Sequence, residues 1–148
     1  MSVLRDFPDL PPVWAAGTVL VQWGVARVVP ILTVETGILG WAFVAVGFGL
    51  IIWSLAWFMH KRTTFEPRDQ PTALIVEGPF RVNRNPIYTG LTLILIGTGL
   101  LFGSLLSAAL AVLFTWIITR RFIIAEEATL RATFGDKAET YIASTRRW

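Results

Sequence analysis

Two clusters of polar and charged side chains stand out in a chain of 148 residues that is 54% hydrophobic. The first is segment 78–90, which reads GPFRVNRNPIYTG, and the second is the adjacent pair Glu126 and Glu127. Guanidinium groups and free amides at a helix N-terminus bind anions, whereas paired carboxylates bind cations or accept a proton. If the clusters converge, two Arg, an Asn, a Tyr and two carboxylates lie at one site, where the helix amides would attract the anionic group of a ligand.

Four apolar stretches must position these clusters, at about 13–32, 37–59, 87–102 and 105–122. About 20 helical residues cross a hydrocarbon core of about 30 Å, a length that the first two stretches reach. The last two are shorter and meet at Gly103 and Ser104, which indicates a tight helical hairpin. One long buried helix is the weaker alternative, because both residues are poor helix formers. We predict an all-α, multi-pass membrane protein, a single domain over 1–148 with about four transmembrane helices and a cytoplasmic helical tail at 123–148.

Composition excludes several other classes of protein. A soluble domain of this size cannot bury so much apolar surface. The chain has no Cys and one His, His60, which excludes disulfides, thiolate sites and a multi-His metal centre, so we expect no metal. It shows no stripe of basic and aromatic residues of the kind that nucleic-acid binding needs.

Basic residues occupy two of the segments outside the apolar stretches, while the connections 33–36 and 103–104 carry none. The positive-inside rule places both basic segments, and both termini, in the cytoplasm. Those segments contain Lys61, Arg62, Arg68, Arg81 and Arg84, and then Arg120, Arg121, Arg131, Lys137, Arg146 and Arg147.

The ends of the third and fourth helices are marked by local signals. Asn85 is a good N-cap and Pro86 a good first helical residue. Glu127 and Arg131 are spaced i,i+4, which supports a helix that continues beyond the fourth span. A hairpin of two such helices brings its cytoplasmic ends together, and with them the two clusters.

Each side chain also has a purely structural interpretation. Arg81 and Arg84 could hold lipid phosphates or fix topology, and Glu126 and Glu127 could be solvated helix charges. The combination of clusters favours a binding site over these readings.

The two patterns also resemble a known group of enzymes. Gly-Pro-Phe-Arg-x-x-Arg-Asn-Pro-x-Tyr-x-Gly, followed after the hairpin by Glu-Glu-x-x-Leu-x-x-x-Phe-Gly, resembles the isoprenylcysteine carboxyl methyltransferase and phospholipid methyltransferase superfamily. The resemblance covers about Gly78 to Trp148 and implies S-adenosylmethionine as methyl donor, with S-adenosylhomocysteine as product. It assigns cofactor contacts to residues of both motifs, namely Arg84, Asn85, Pro86, Tyr88, Gly90, Glu126 and Glu127.

Catalytic roles follow from the same resemblance and from charge. Arg81 or Arg147 could orient an acidic acceptor group, and Glu126 or Glu127 could receive a proton from an amine acceptor. We therefore take Arg81, Glu127 and Arg147 as candidate catalytic residues. No Gly-x-Gly-x-x-Gly follows a strand, which excludes a Rossmann-type methyltransferase.

The sequence departs from the family pattern at three points. Asn85 stands where the carboxyl methyltransferases have His, which weakens a prenylcysteine substrate. Ala138 stands where a Tyr usually follows Phe-Gly, although Tyr141 is retained. The Gly-x-Gly that phospholipid methyltransferases place before the loop is not evident at the end of the second helix.

These observations predict methyl transfer to a lipophilic, membrane-embedded acceptor. The preferred hypothesis is an enzyme like isoprenylcysteine carboxyl methyltransferase. The alternatives are a phospholipid N-methyltransferase-like enzyme and a non-catalytic membrane scaffold or lipid-binding protein. A sterol reductase-like enzyme would share part of the architecture, but the chain is short for one. We expect the protein in a bacterial inner membrane, with the bilayer and the acceptor as its partners.

Overall fold

A computed structural model describes residues 7–30, 32–62 and 71–148. Residue 31 of the first predicted span and Arg68 of the first basic segment lie outside the described residues. The described part is helical and contains no strand, which confirms the all-α prediction. Its helices are α1 (Pro11–Val28), α2 (Gly37–Lys61), α3 (Pro86–Leu101), α4 (Leu105–Ile118), α5 (Ile124–Phe134) and α6 (Asp136–Ser144).

Two short irregular turns connect these helices near the predicted clusters. A 3₁₀ turn at Gly78–Arg81 precedes α3. A π-helical turn at Thr119–Ile123 joins α4 to α5, so that one continuous helix runs from Leu105 to Phe134. The fourth predicted stretch, 105–122, is therefore the first part of a helix that extends 12 residues further.

Among the described residues, two helices are long and apolar enough to cross a membrane. They are Gly37–Lys61, with a mean hydropathy of 2.2, and Leu105–Phe134, with 1.7. The rest of the chain buries only 17% and 28% of their apolar windows, whereas the core helix of a soluble protein would be largely covered. Trp41 and Ile52 of α2 and Val112 of α4 are each exposed over more than half of their surface. The predicted spans at α1 and α3 remain predictions.

Helix α3 lies at the centre of the bundle, in contact with α1, α2 and α4. It approaches α2 closely where Gly47 faces Gly90. A Cβ added at Gly90 would lie 2.7 Å from the Gly47 carbonyl oxygen, so no larger residue fits. Gly40 and Gly97 repeat the arrangement two turns away, since a Cβ at Gly97 would lie 2.6 Å from the Gly40 oxygen. Such contacts between small residues are a usual basis of helix association in lipid.

A buried polar cluster centred on Gln22 joins α1 to α3 and α4. The Gln22 side-chain amide is fully buried and donates to the carbonyl oxygens of Leu95, at 2.7 Å, and Ser107, at 2.9 Å. Its oxygen accepts from Thr98 Oγ1 at 2.8 Å. Polar groups in an apolar interior must be paired in this way, so the cluster fixes how the three helices pack.

Replacing Gln22 with Leu should lower the free energy of unfolding by about 1–2 kcal/mol, since each interhelical hydrogen bond in a membrane contributes about 0.6 kcal/mol. Denaturant titration in detergent micelles measures this. Thr18→Val is the matched control, because the Thr18 hydroxyl bonds only to the Trp14 carbonyl oxygen of its own helix. Equal losses in both variants would contradict an interhelical role for Gln22.

Candidate functional site

The hairpin of α3 and α4 brings the two sequence clusters together. Gly103, with a φ of 74°, turns the chain, and the Ser104 hydroxyl caps α4 by accepting from the Ser107 amide at 3.2 Å. At the opposite end of the hairpin, the Tyr88 hydroxyl donates to Glu126 Oε1 at 2.5 Å. The predicted juxtaposition is confirmed, while the chemical roles of these residues stay predictions.

Glu127 is the centre of a buried ion cluster. Its side chain is about 7% exposed and accepts hydrogen bonds from two arginines. Arg147 donates from Nε to Oε1 at 2.8 Å and from Nη2 to Oε2 at 2.7 Å, a bidentate arrangement. Arg84 Nη2 donates to Oε1 at 3.1 Å. The Glu127 carboxylate raises the pKa of Arg147 above its ordinary value, so the arginine stays charged.

The predicted pair between Glu127 and Arg131 is wrong. Arg131 instead donates from Nε to Glu139 Oε1 of α6 at 2.9 Å, on the exposed side of α5. The reason is the orientation of Glu127, which points inward to Arg84 and Arg147 and away from the helix surface where i,i+4 pairs form.

The π-helical turn explains this orientation. The residues of α4 that face the bundle, Phe114 and Ile118, continue to Phe122 at a spacing of four. Within the π turn Ile123 is buried as well as Phe122, and Glu127 follows Ile123 at a spacing of four, so the π turn advances the buried face by one residue. A regular helix of 3.6 residues per turn would rotate Glu127 away from Arg84.

The C-terminal segment folds back over the start of α3. The Arg84 guanidinium donates from Nη1 to the carbonyl oxygens of Ile142, at 2.6 Å, and of Thr145. The Arg84 backbone amide donates to the Arg146 oxygen at 2.8 Å. These contacts hold residues 142–147 beside Glu127.

Asn85 stands at the predicted N-cap position of α3 but does not cap the helix with its side chain. Its Nδ2 donates to the Arg147 oxygen at 2.9 Å, and its backbone amide donates to Asn83 Oδ1 at 3.0 Å. The amides of the first turn of α3 thus lack a side-chain cap, and Asn83 is a buried contributor that sequence reasoning missed.

A cavity of about 510 Å³ lies between α2, α3, α5 and the 3₁₀ turn. Its size is within the usual range of small-molecule sites, roughly 300–1,000 Å³. Most of the predicted cofactor-binding residues line it: Arg84, Asn85, Pro86, Tyr88, Glu126 and Glu127.

Three predicted residues do not line this cavity. Arg81 is exposed at the end of the 3₁₀ turn. Gly90 lies against Gly47 in the α2–α3 contact, where it allows the two helices to pack closely. Arg147 contacts two lining residues, Glu127 through its guanidinium and Asn85 through its main-chain oxygen.

Aromatic side chains make up much of the remaining wall, and sequence reasoning missed most of them. Phe58, Phe80 and Phe122 line the cavity together with Tyr88 and Tyr141. Their faces carry negative electrostatic potential and suit a cationic or apolar ligand group. The sequence offered one further signal for this wall. Tyr141 lies in α6, within the part of the chain that the family resemblance covers.

Tyr141 has a structural role in this wall. Its hydroxyl donates to the Phe80 carbonyl oxygen at 2.7 Å, which ties α6 to the 3₁₀ turn. Burial raises the pKa of the Tyr141 hydroxyl well above its ordinary value, so it stays protonated and serves as a donor.

Gly78 at the head of the 3₁₀ turn has a φ of 59° and contacts Trp57 of α2, whose Nε1 would lie 2.0 Å from an added Cβ. Gly78→Ala should therefore destabilise the fold by more than the roughly 1–2 kcal/mol that positive φ alone costs. Gly103→Ala is the matched control, with a φ of 74° and an ordinary contact of 3.4 Å at its Cβ. Unfolding titrations of the two variants give the difference, and equal values would contradict the role of Trp57.

The site also contains a buried donor that has no partner. In the described part of the chain, Arg84 Nε and Thr36 Oγ1 are the buried side-chain atoms without a hydrogen bond. Arg84 lines the cavity, and its side chain is about 10% exposed. A buried donor of this kind is costly unless a ligand or water satisfies it.

Comparison with known proteins gives two matches. The model of the phospholipid methyltransferase family matches residues 36–137. Protein-S-isoprenylcysteine O-methyltransferase of Schizosaccharomyces pombe is 34% identical over 74 residues, which cover 50% of this chain and 31% of that protein. The match thus spans about a third of the length of that relative. No solved structure matches this chain.

Proposed function

Because the chain belongs to the phospholipid methyltransferase family, we propose that it transfers a methyl group from S-adenosylmethionine to a lipophilic acceptor in the membrane. One observation carries the proposal: Arg84, Tyr88, Glu126 and Glu127, from motifs about forty residues apart, line one cavity of about 510 Å³. The two apolar helices, whose surfaces are largely uncovered, support a membrane location.

The side chains of the cavity fit the charges of S-adenosylmethionine, which carries a carboxylate, an ammonium group, ribose hydroxyls and a sulfonium. Arg84 lines the cavity and its guanidinium is suited to the carboxylate, together with the first-turn amides of α3. Glu126 and the aromatic wall are suited to the positively charged groups. When bound, the cofactor supplies an electrophilic methyl group.

The residues of the chain contribute mainly alignment and exclusion of water. Phe58, Phe80 and Phe122 give the cavity an apolar wall, which keeps bulk water from competing with the acceptor. The ion cluster of Glu127, Arg84 and Arg147 holds the ends of α3, α5 and α6 in a fixed arrangement. Holding two reactants in line can account for about 7–11 kcal/mol of a barrier.

The acceptor of first choice is a lipophilic molecule like that of the isoprenylcysteine enzymes, although neither Arg81 nor Arg147, the residues predicted to orient its acidic group, lines the cavity. A phospholipid amine is the second candidate, and one observation favours it. Glu126 lines the cavity beside the Tyr88 hydroxyl and could receive the proton that an amine nitrogen releases as it gains a methyl group.

The experiment uses the full chain in lipid nanodiscs. Calorimetry with S-adenosylmethionine should show saturable binding, and a donor with a tritiated methyl group should label the lipid-extractable fraction. Absence of binding by the folded protein would overturn the proposal and favour a non-catalytic scaffold. Separate acceptor pools of prenylated cysteine and phosphatidylethanolamine distinguish the two candidate acceptors.

A further inference from the structure

A second apolar space lies between α1 and α4. It is a groove of about 520 Å³ with Trp14, Gly17 and Val21 on one wall and Leu113 and Phe114 on the other. We propose that this groove holds the hydrocarbon chain of the acceptor, an inference that rests on the proposed methyl transfer. The occupant is thus one alkyl or prenyl chain whose head group enters the cavity.

The groove and the cavity adjoin each other along a short segment of the chain. Arg121 lines both spaces. The segment Pro8–Asp9 lines the groove, and the next three residues, Leu10–Pro12, line the cavity. In this proposal a molecule with its head in the cavity extends its tail past Arg121 into the adjoining groove.

The size of the cavity makes such an exit necessary. At about 510 Å³ it is in the range of a site for one small molecule. The cofactor and the reacting end of an acceptor would fill it, so a long hydrocarbon chain must lie elsewhere. From Val13 to Val21 the groove follows α1 for eight residues, or about 12 Å at 1.5 Å per residue.

The polar side chains of the groove suit a lipid whose head group points toward the cavity. Arg121 ends the groove on the side of the basic segment, where its side chain is 50% exposed and pairs with Asp9 at 2.5 Å. The Arg121 guanidinium also lies 5.4 Å from the centre of the Trp14 ring. A cation and an indole at the membrane interface complement a phosphate or carboxylate near the head of a lipid, while the rest of the groove is apolar.

Gly17 makes the groove testable, because a Cβ at this position would have nothing within 4 Å. A bulky side chain there fills the groove without a clash at its base. Gly24, two turns further along α1, is equally open but does not line the groove, so it provides a matched control.

The test uses nanodiscs that contain either a prenylated cysteine or a phospholipid with a diazirine in its hydrocarbon chain, with S-adenosylmethionine present. After irradiation, mass spectrometry should find the label on the groove residues of α1 and α4. Gly17→Phe, and the milder Gly17→Leu, should lose this labelling while Gly24→Phe retains it. Labelling of the exposed face of α2 around Trp41 should be unchanged, as it reports surrounding lipid.

Groove labelling that is equal in the wild type and in Gly17→Phe would overturn the inference, as would labelling no stronger than that of the α2 face. Calorimetry with S-adenosylmethionine on the same samples separates the two proposals. Cofactor binding without specific labelling would contradict the groove proposal alone. Specific labelling without cofactor binding would contradict the proposed methyl transfer.

Discussion

Glu127→Gln should abolish binding of S-adenosylhomocysteine and destabilise the protein by about 3 kcal/mol, because it leaves Arg84 as a buried charge without its counter-ion. The carboxylate is about 7% exposed and takes three hydrogen bonds from two guanidinium groups. A neutral amide cannot replace the charge and offers one acceptor oxygen in place of two. Calorimetry measures the binding, and denaturant titration in micelles measures the free energy of unfolding.

Glu139→Gln is the control for this variant. Glu139 also pairs with an arginine, Arg131, but both side chains are more than one third exposed, so the loss should be within about 1 kcal/mol. Glu126→Gln separates binding from folding, since it leaves the Glu127 ion cluster intact. Retention of full cofactor affinity in both Glu126→Gln and Glu127→Gln would refute the assignment of this site.

Arg84→Lys should reduce cofactor affinity about a hundredfold, which corresponds to about 3 kcal/mol, although the positive charge is kept. Arg84 uses the planar guanidinium group to contact Glu127, the Ile142 oxygen and the Thr145 oxygen, while its buried Nε has no hydrogen-bond partner. A lysine ammonium is one point donor at the end of a flexible chain and cannot reach all of these groups. Calorimetry with S-adenosylmethionine provides the affinity.

A second measurement follows the C-terminal segment. Release of residues 145–148 should make trypsin cleave after Arg146 and Arg147 faster in Arg84→Lys than in the wild type, because the main chain of this segment is no longer held by Arg84. Arg131→Lys serves as the control, because its exposed bond to Glu139 tolerates a flexible ammonium. Unchanged affinity together with unchanged cleavage in Arg84→Lys would show that the planar geometry of the Arg84 guanidinium is unimportant.

The sequence predicted the parts of this fold that depend on strong local signals. The stretch at 37–59 is α2, which begins at Gly37 as expected, and the break at Gly103 and Ser104 is the turn between α3 and α4. The hairpin then requires its open ends to be adjacent, which is why the meeting of Tyr88 with Glu126 was predictable. The first helix ends at Val28, before Pro30 and earlier than residue 32. This is the region where proline disfavours helix.

Other features of the site depend on information that a single sequence does not carry. The π turn at Thr119–Ile123 has no propensity signal, yet it decides that Glu127 faces Arg84 instead of Arg131. The return of residues 142–147 to Asn85 depends on contacts between main chain and side chain across about 60 positions. That the start of α1 lines the cavity could have been predicted, since the predicted topology places Pro11 and Pro12 on the same side of the membrane as the site.

The way the C-terminal segment is held sets which of its changes the protein can tolerate. Arg84 and Asn85 contact the main-chain oxygens of Ile142, Thr145, Arg146 and Arg147, and every amino acid supplies such an oxygen. Side-chain identity at 145 and 146 is therefore nearly free, whereas the number of residues between Tyr141 and Arg147 is fixed. Deleting one residue there would shift every carbonyl out of register, and random substitution at 145 and 146 should leave most variants functional.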